Sequence, residues 1–381
     1  MPKPQPFSRL ATAIATLALA FATPFLHADS LGFSQTNLVS DVPGLAANTD
    51  PNLKNPWGVS FSATSPFWAS DQVTGVSTLY NAAGTPQSLV VTIPGGAPPT
   101  GPTGTVFSGL PGSFLVNGTP ALFIFDSLHG TLAGWNASAG TTAVQMAATP
   151  GAIYTGLAEA STGGSNFLYA ANSAPGGHVN VFNSAWQPAT LSGNFTDPNL
   201  PAGLVPFNIQ NISGNLYVTY AALGPGGTPM PGGVVDEFAA NGNFIKRIAT
   251  GGPLSAPWGI VLAPSSFGSF SNDLLIGNFG NGEILAYDAT TDLFLGTLNG
   301  PNGQPLVNDF LWALETRANG SGFDPNAVYF SAGINNQADG LFGAITAITP
   351  EPATIFGTAT GLIALAMLRI KRILPRRASL Q

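Results

Sequence analysis

A short marker, a Gly followed by alternating apolar residues and an aromatic, returns along the chain at intervals of 47 to 58 residues. It reads Gly75-Val76 to Tyr80-Asn81, Gly130-Thr131-Leu132 to Trp135-Asn136, Gly177 through Val179 to Phe182-Asn183, Gly233-Val234-Val235 to Phe238, and Gly282 to Tyr287-Asp288. A sixth copy, Gly340-Leu341-Phe342-Gly343-Ala344-Ile345, ends the repetitive part. Alternation of this kind is the mark of a strand with two different faces. The clearest full unit, Pro257 to Leu298, holds four such strands, at Trp258-Gly259-Ile260, Leu274 to Gly277, Glu283 to Tyr287 and Phe294 to Leu298. Asn278, Asn281-Gly282, Asp288 and Thr290-Thr291-Asp292 supply tight-turn chemistry between them. One four-stranded unit cannot bury both its faces, so copies must pack on one another, and this repeat length suits propeller blades rather than helical solenoids. The expected fold is therefore all-β, a six-bladed propeller.

First strands follow the same order at Trp57-Gly58-Val59, Gly156-Leu157-Ala158, Phe207-Asn208-Ile209, Trp258-Gly259-Ile260 and Leu311 to Leu314, and only the second blade lacks a clear one. Blades one to five have candidate fourth strands at Ser88 to Ile93, Ala143 to Ala147, Leu191 to Thr196, Phe244 to Ala249 and Phe294 to Leu298. The sixth blade ends with its third strand near Ile348, so Phe33 to Ser40 is expected to supply the missing outer strand and close the ring. Five blades with a separate C-terminal hairpin is the alternative count. Pro94 to Pro102 reads as a loop between blades one and two, and Gly224 to Gly233 as an enlarged turn inside blade four.

The two ends of the chain differ from the body. Residues 1–28 combine Lys3 and Arg9 with the apolar run Leu10 to Phe21 and a small-residue cut after Ala28, the pattern of a secretory signal peptide. Residues 29–349 form the propeller, where the body to Pro350 carries four basic residues against seventeen acidic ones. Such a body lacks the positive field that nucleic acid requires. The absence of cysteine excludes disulfides and thiolate metal sites. Residues 350–381 bring Pro350, Glu351 and Pro352, the apolar segment 355–368 read as a membrane helix, and the basic cluster Arg369, Lys371, Arg372, Arg376 and Arg377.

That order of elements resembles the PEP-CTERM sorting signal of exported bacterial proteins. The resemblance implies processing by an exosortase-type enzyme, transient anchoring in the inner membrane through the tail, and delivery to the cell envelope, outer surface or extracellular space. The body in turn resembles an uncharacterised family of exported bacterial propeller proteins, on Asn37 to Asp41, Asn55-Pro56-Trp57-Gly58, Gly134-Trp135-Asn136, Asp197 to Gly203, Pro206 to Gln210, Ala256 to Gly259, Gly277 to Gly280 and Gly340 to Gly343. This second resemblance implies a fold and an address but no activity.

Candidate chemistry is sparse. Asp71, Asp126, Asn172 and Asn278 recur after second strands, where short polar side chains satisfy backbone N–H groups of the turn to the third strand. Asp50, Asn55, Glu159, Asn208 and Asp309 lie at or beside first strands, which line the channel, and oxygen ligands converging there would hold Ca²⁺. His129 and His178 fall at third-strand edges. Trp57, Trp258 and Trp312 belong to the core, and Trp68, Trp135 and Trp186 are the surface candidates for stacking on sugar. No nucleophile elbow, phosphate loop or zinc-protease helix occurs, so no catalytic residue is assigned. The resulting expectation is an exported binding module whose partners are extracellular polysaccharide or other surface proteins. A divalent-metal lactonase or hydrolase at the channel mouth, and a purely structural matrix protein, are the alternatives.

Overall fold

The computed structural model describes residues 32–95, 101–318 and 322–348. It is a six-bladed β-propeller. Blade one consists of Pro56–Ser60, Phe67–Asp71, Val76–Tyr80 and Val91–Thr92, numbered from the channel outward. Blade four (Val205–Ile212, Asn215–Ala221, Val234–Ala239, Phe244–Thr250) and blade five (Pro257–Leu262, Leu274–Asn278, Ile284–Tyr287, Phe294–Thr297) repeat this order. Each strand pairs antiparallel with the next, as the repeat required.

Ring closure takes the expected form. Blade six contributes Leu311–Thr316, Val328–Ala332 and Leu341–Ala347, and its outer strand is Phe33–Ser40 from the other end of the chain. The pairing is antiparallel from Phe33 opposite Ala347 to Ser40 opposite Leu341, with one irregularity between Asn37 and Val39. Phe33 and Val39 are buried by it. Pairing covers the outer edge of Leu341–Ala347, where a free strand would invite association, and Asn48–Thr49 pairs in parallel outside Val39 and Ser40.

Two blades depart from the sequence expectation. The second blade does have an inner strand, Pro102–Phe107, paired with Phe123–Ser127, and Thr131–Trp135 and Val144–Ala148 complete it. Its sequence is hidden by Pro102 and Gly104, yet glycine is what that place requires. A Cβ on Gly104 would lie 2.5 Å from the Leu157 nitrogen of the next inner strand. The third blade is a three-stranded sheet, Tyr154–Thr162, Ser165–Asn172 and Val179–Asn183. Leu191 to Thr196 is irregular, because its backbone leaves blade three and bonds the turn of blade four, Gly193 N–H to Asn241 O and Phe195 N–H to Gly242 O.

The Trp-Gly pairs also find their reason at the axis. A Cβ on Gly58 would stand 2.7 Å from Thr103 O, and one on Gly259 2.5 Å from Trp312 O, so these glycines let neighbouring inner strands close around the channel. Among the described residues no helix is long and apolar enough to cross a membrane. The expected signal peptide (1–28) and the expected sorting tail (350–381), with its membrane segment, lie outside the described residues.

Candidate functional site

Aligned on their Trp-Gly pattern, the inner strands place Trp57, Thr155, Phe207, Trp258 and Trp312 at one end of the channel, here called the upper end. Trp57 stacks on Trp312 with ring centroids 3.6 Å apart, and Phe279 stacks on the same indole at 4.2 Å. Trp258 meets Trp57 and Trp312 edge-on, at 6.5 and 5.7 Å. Offset and edge-to-face contacts of this kind add to the burial of the rings. Together they plug the channel with an aromatic plate.

Above the plate opens a funnel of about 580 Å³. Its wall is built by the turn after the second strand of every blade: Gln72, Leu128, Ser173 with Pro175, Leu223 to Gly227, Phe279 and Gln337. The enlarged turn of blade four thus sits on the rim, as expected of an insertion on a propeller face. Gln337 is delivered by a short turn in which Asn335, Asn336 and Gln337 all have positive φ, 52°, 56° and 66°. Non-glycine residues rarely hold this conformation, and where they do the surrounding structure over-determines them. The described lining contains no charged side chain.

Asp71, Asp126, Asn172 and Asn278, which stand at the base of these turns, are all buried. Asn172 Oδ1 accepts from Ala174 N–H in its own turn and from Ile153 N–H at the start of the inner strand. Asn278 binds both sides of the incoming loop, Ser255 N–H and Pro253 O. Asp126 accepts from Thr103 Oγ1 and Gly104 N–H, and burial pushes its carboxyl up to about 6. Asp71 accepts from Thr78 Oγ1, and burial raises it well above the usual carboxylate range. Asp126, Asn172 and Asn278 therefore tie second strands to the inner strand or its incoming loop, Asp71 ties its strand to the third, and only Asn172 serves the turn as expected.

The five channel candidates do not come together. Asp50 lies between the closing strand and blade one, accepting from Tyr80 OH at 3.0 Å. Asn55 is at the floor of the funnel, where its Oδ1 accepts from Trp312 Nε1 at 2.8 Å. Asn208 is buried lower, donating to Trp258 O at 2.8 Å. Glu159 stands at the lower mouth and Asp309 is exposed. Among the described residues no three His, Cys, Asp or Glu side chains gather as a metal site. First strands do enter from one end, but their polar residues fall at different depths, so shared direction does not give convergence.

The lower mouth is a separate cavity of about 270 Å³ that carries two acids. Glu159 belongs to blade three and Glu315 to blade six, on opposite sides of the ring. Burial raises the Glu159 carboxyl to about 7, with the nearby Ser108 hydroxyl opposing the shift, and among the described residues neither of its buried oxygens has a well-formed hydrogen bond. Burial likewise raises Glu315 to about 8, against a bond from Gln210 Nε2 at 3.2 Å. Sequence reasoning passed over Glu315 and the glutamines Gln72, Gln210 and Gln337. Glu315 was legible in principle as a charged residue directly following the apolar stretch Leu311 to Leu314, three residues beyond Trp312.

The tryptophan assignments need a correction. Trp68, Trp135 and Trp186 are buried at 3%, 7% and 5% exposure, and Trp68 stacks on Phe123 of the next blade at 4.1 Å. They glue blades together, because the outward faces of second and third strands in a propeller meet another blade and not water. Trp57 and Trp312 are core residues, as expected, and also line the funnel. His129 and His178 are exposed at blade edges.

No known protein-family model matches the chain. By sequence it is 29% identical over 327 residues to an uncharacterized protein of Acanthamoeba polyphaga mimivirus, covering 81% of this chain and 78% of the relative. A second uncharacterized protein of the same virus is 28% identical over 344 residues, covering 85% and 89%. Among solved structures the chain is similar to an α-L-arabinofuranosidase mutant of Fusarium graminearum in complex with an iminosugar inhibitor, with a TM-score of 0.50 at 10% identity over 83% of this chain and 98% of that one. The PQQ-bound aldose sugar dehydrogenase of Streptomyces coelicolor gives 0.49 at 13% identity over 84% and 99%. At such identities the likeness concerns the propeller fold alone. The viral relatives supply neither an activity nor an address.

Proposed function

We propose that the chain is an exported binding module that takes a neutral, ring-shaped ligand in its upper funnel. The observation that carries this reading is an uncharged funnel of about 580 Å³ standing on the Trp57–Trp312–Phe279 plate. A charged ligand entering it would lose hydration and find no counter-charge in the described lining, which is expensive. A flat or puckered ring instead gains dispersion and apolar burial against the indoles. Hydrolysis at this mouth would need a titratable group within reach of the substrate, and the described lining offers none. The reading is therefore binding rather than turnover.

Export and sorting rest on the terminal segments alone, the apolar run after Lys3 and Arg9 and the Pro350-Glu351-Pro352 motif with its basic end. With them the module would be displayed at the cell surface or released, facing extracellular polysaccharide or other surface proteins. Mass spectrometry of the native protein is expected to show a start near Asp29 and loss of the tail near Pro350.

The funnel is tested by thermal-shift screening of neutral, acidic and basic small molecules against the full chain and Leu223→Glu, which puts a carboxylate in the wall. Neutral ring compounds are expected to raise the Tm, and the substitution to abolish the rise. Stabilisation by charged compounds only, or hits unaffected by Leu223→Glu, would overturn the reading.

A further inference from the structure

One side chain sets the polarity of the funnel floor. The Trp312 Nε1–H group can only donate, and it donates to Asn55 Oδ1 at 2.8 Å. This fixes which end of Asn55 is its nitrogen. Asn55 Nδ2 then donates to Gln72 Oε1 at 2.9 Å and to Gln337 Oε1 at 3.3 Å. Both glutamines therefore turn their oxygens to Asn55, and among the described residues neither NH₂ group has an acceptor. Trp57 lines the funnel and is 6% exposed, but its Nε1–H is closed off from the funnel space and has no acceptor among the described residues. Its neighbours Trp258 and Trp312 both have one, Thr155 O and Asn55 Oδ1.

The arrangement is held from behind. Asn55 has φ 47°, and a Cβ added to Gly333 would lie 2.1 Å from Asn55 Oδ1, so the amide is packed into one position. Thr155 and Ser173 on the wall give their hydrogens to the carbonyls of Ala171 and Ile153. The spare N–H donors of the lining are thus the Gln72 and Gln337 amides, and the described lining carries no charged side chain. An acceptor that displaces water from these amides returns a hydrogen bond, whereas a ligand offering only donors removes the water and returns none.

We infer that the funnel selects neutral ring compounds bearing a carbonyl-type oxygen acceptor, which meets the amide N–H groups of Gln72 and Gln337 while the ring packs on the aromatic plate. This rests on the reading of the funnel as the ligand site, and the test separates the two. Three neutral bicyclic probes of like size are titrated by ligand-observed NMR against the full chain: 1-indanone with a carbonyl, indane with no polar group, and indole with an N–H donor. 1-Indanone is expected to bind about tenfold more tightly than indane, the factor one well-placed hydrogen bond supplies, and indole no better than indane.

Gln337→Glu replaces one donor by an oxygen on a partly exposed side chain and keeps the oxygen that faces Asn55. It is expected to remove the preference for 1-indanone and leave indane unchanged. Gln72→Glu, which makes the same exchange at the other amide, reads the same effect if the first variant does not fold. Equal affinity for all three probes, or a preference for indole, overturns the donor-floor inference while the funnel reading stands. Binding of none of them overturns both.

Discussion

Replacing Glu315 by Gln should make the protein more stable at alkaline pH and leave it nearly unchanged in acid. Glu315 stands on the inner strand of blade six, where burial raises its carboxyl from 4.5 to about 8 and only the Gln210 amide opposes the shift. A folded-state value above the unfolded one means that the folded protein holds the proton more tightly. The stabilisation from that proton is fully present below pH 4.5, declines as pH rises, and is gone above about 8. At about 1.4 kcal/mol per pH unit the displacement amounts to roughly 5 kcal/mol as an upper limit. Water reaches part of this residue at the lower mouth, so roughly 2–3 kcal/mol is the realistic expectation. Gln is close in shape to the protonated acid and keeps an oxygen for Gln210. Urea denaturation of both proteins at pH 5 and pH 9 measures the difference directly. The variant should match the wild type within about 1 kcal/mol at pH 5 and exceed it by about 2 kcal/mol or more at pH 9. A shallower loss between 4.5 and about 7 should persist in the variant, because Glu159 still titrates there. Parallel pH dependence of the two proteins would refute the argument that Glu315 is held protonated by burial.

A chain beginning at Ala46 lacks the closing strand, loses the burial of Phe33 and Val39, and should fall in stability by at least about 4 kcal/mol and associate through the freed edge of Leu341–Ala347, as read by denaturation and light scattering. Gly259→Val forces a side chain to within 2.5 Å of Trp312 O and should lower stability by about 3 kcal/mol or more, seen as a lower urea midpoint. Asn55→Ala leaves the buried Trp312 N–H without its acceptor, with an expected loss of about 1–3 kcal/mol and of the 1-indanone preference.

The ring and its closure were legible because they follow from counting: blade six ran out of chain, and Phe33 to Ser40 was a strand without a partner. Fourth strands were legible wherever apolar alternation survived, as in Phe244–Thr250. It failed at Leu191 to Thr196, where Phe195 is buried by the turn of blade four and not by a sheet of its own. Pro102–Phe107 was concealed for the opposite reason, since close approach at the axis favours Gly104 over a strand-forming side chain. The tryptophans show the limit of strand patterning. Alternation says that Trp68 faces away from Ala69, but not that Phe123 of another blade lies there. The funnel floor was least legible. Asn55 reads as an oxygen ligand in sequence, and its role depends on Gln337, 282 residues away, presented by a turn with three positive φ values.

The central claim is that the upper funnel is the binding site, with the Trp57–Trp312–Phe279 plate beneath the ligand. Tryptophan Nε1–H signals in a ¹H–¹⁵N spectrum address it atom by atom. Those of Trp135, Trp186, Trp258 and Trp312 are held by Gly140 O, Leu115 O, Thr155 O and Asn55 Oδ1, whereas that of Trp57 has no acceptor among the described residues. On addition of 1-indanone the Trp57 signal, assigned through Trp57→Phe, should shift as the ligand ring packs on its indole, while those of Trp135 and Trp186 stay in place. A Trp57 signal that does not move under saturating 1-indanone would contradict the account.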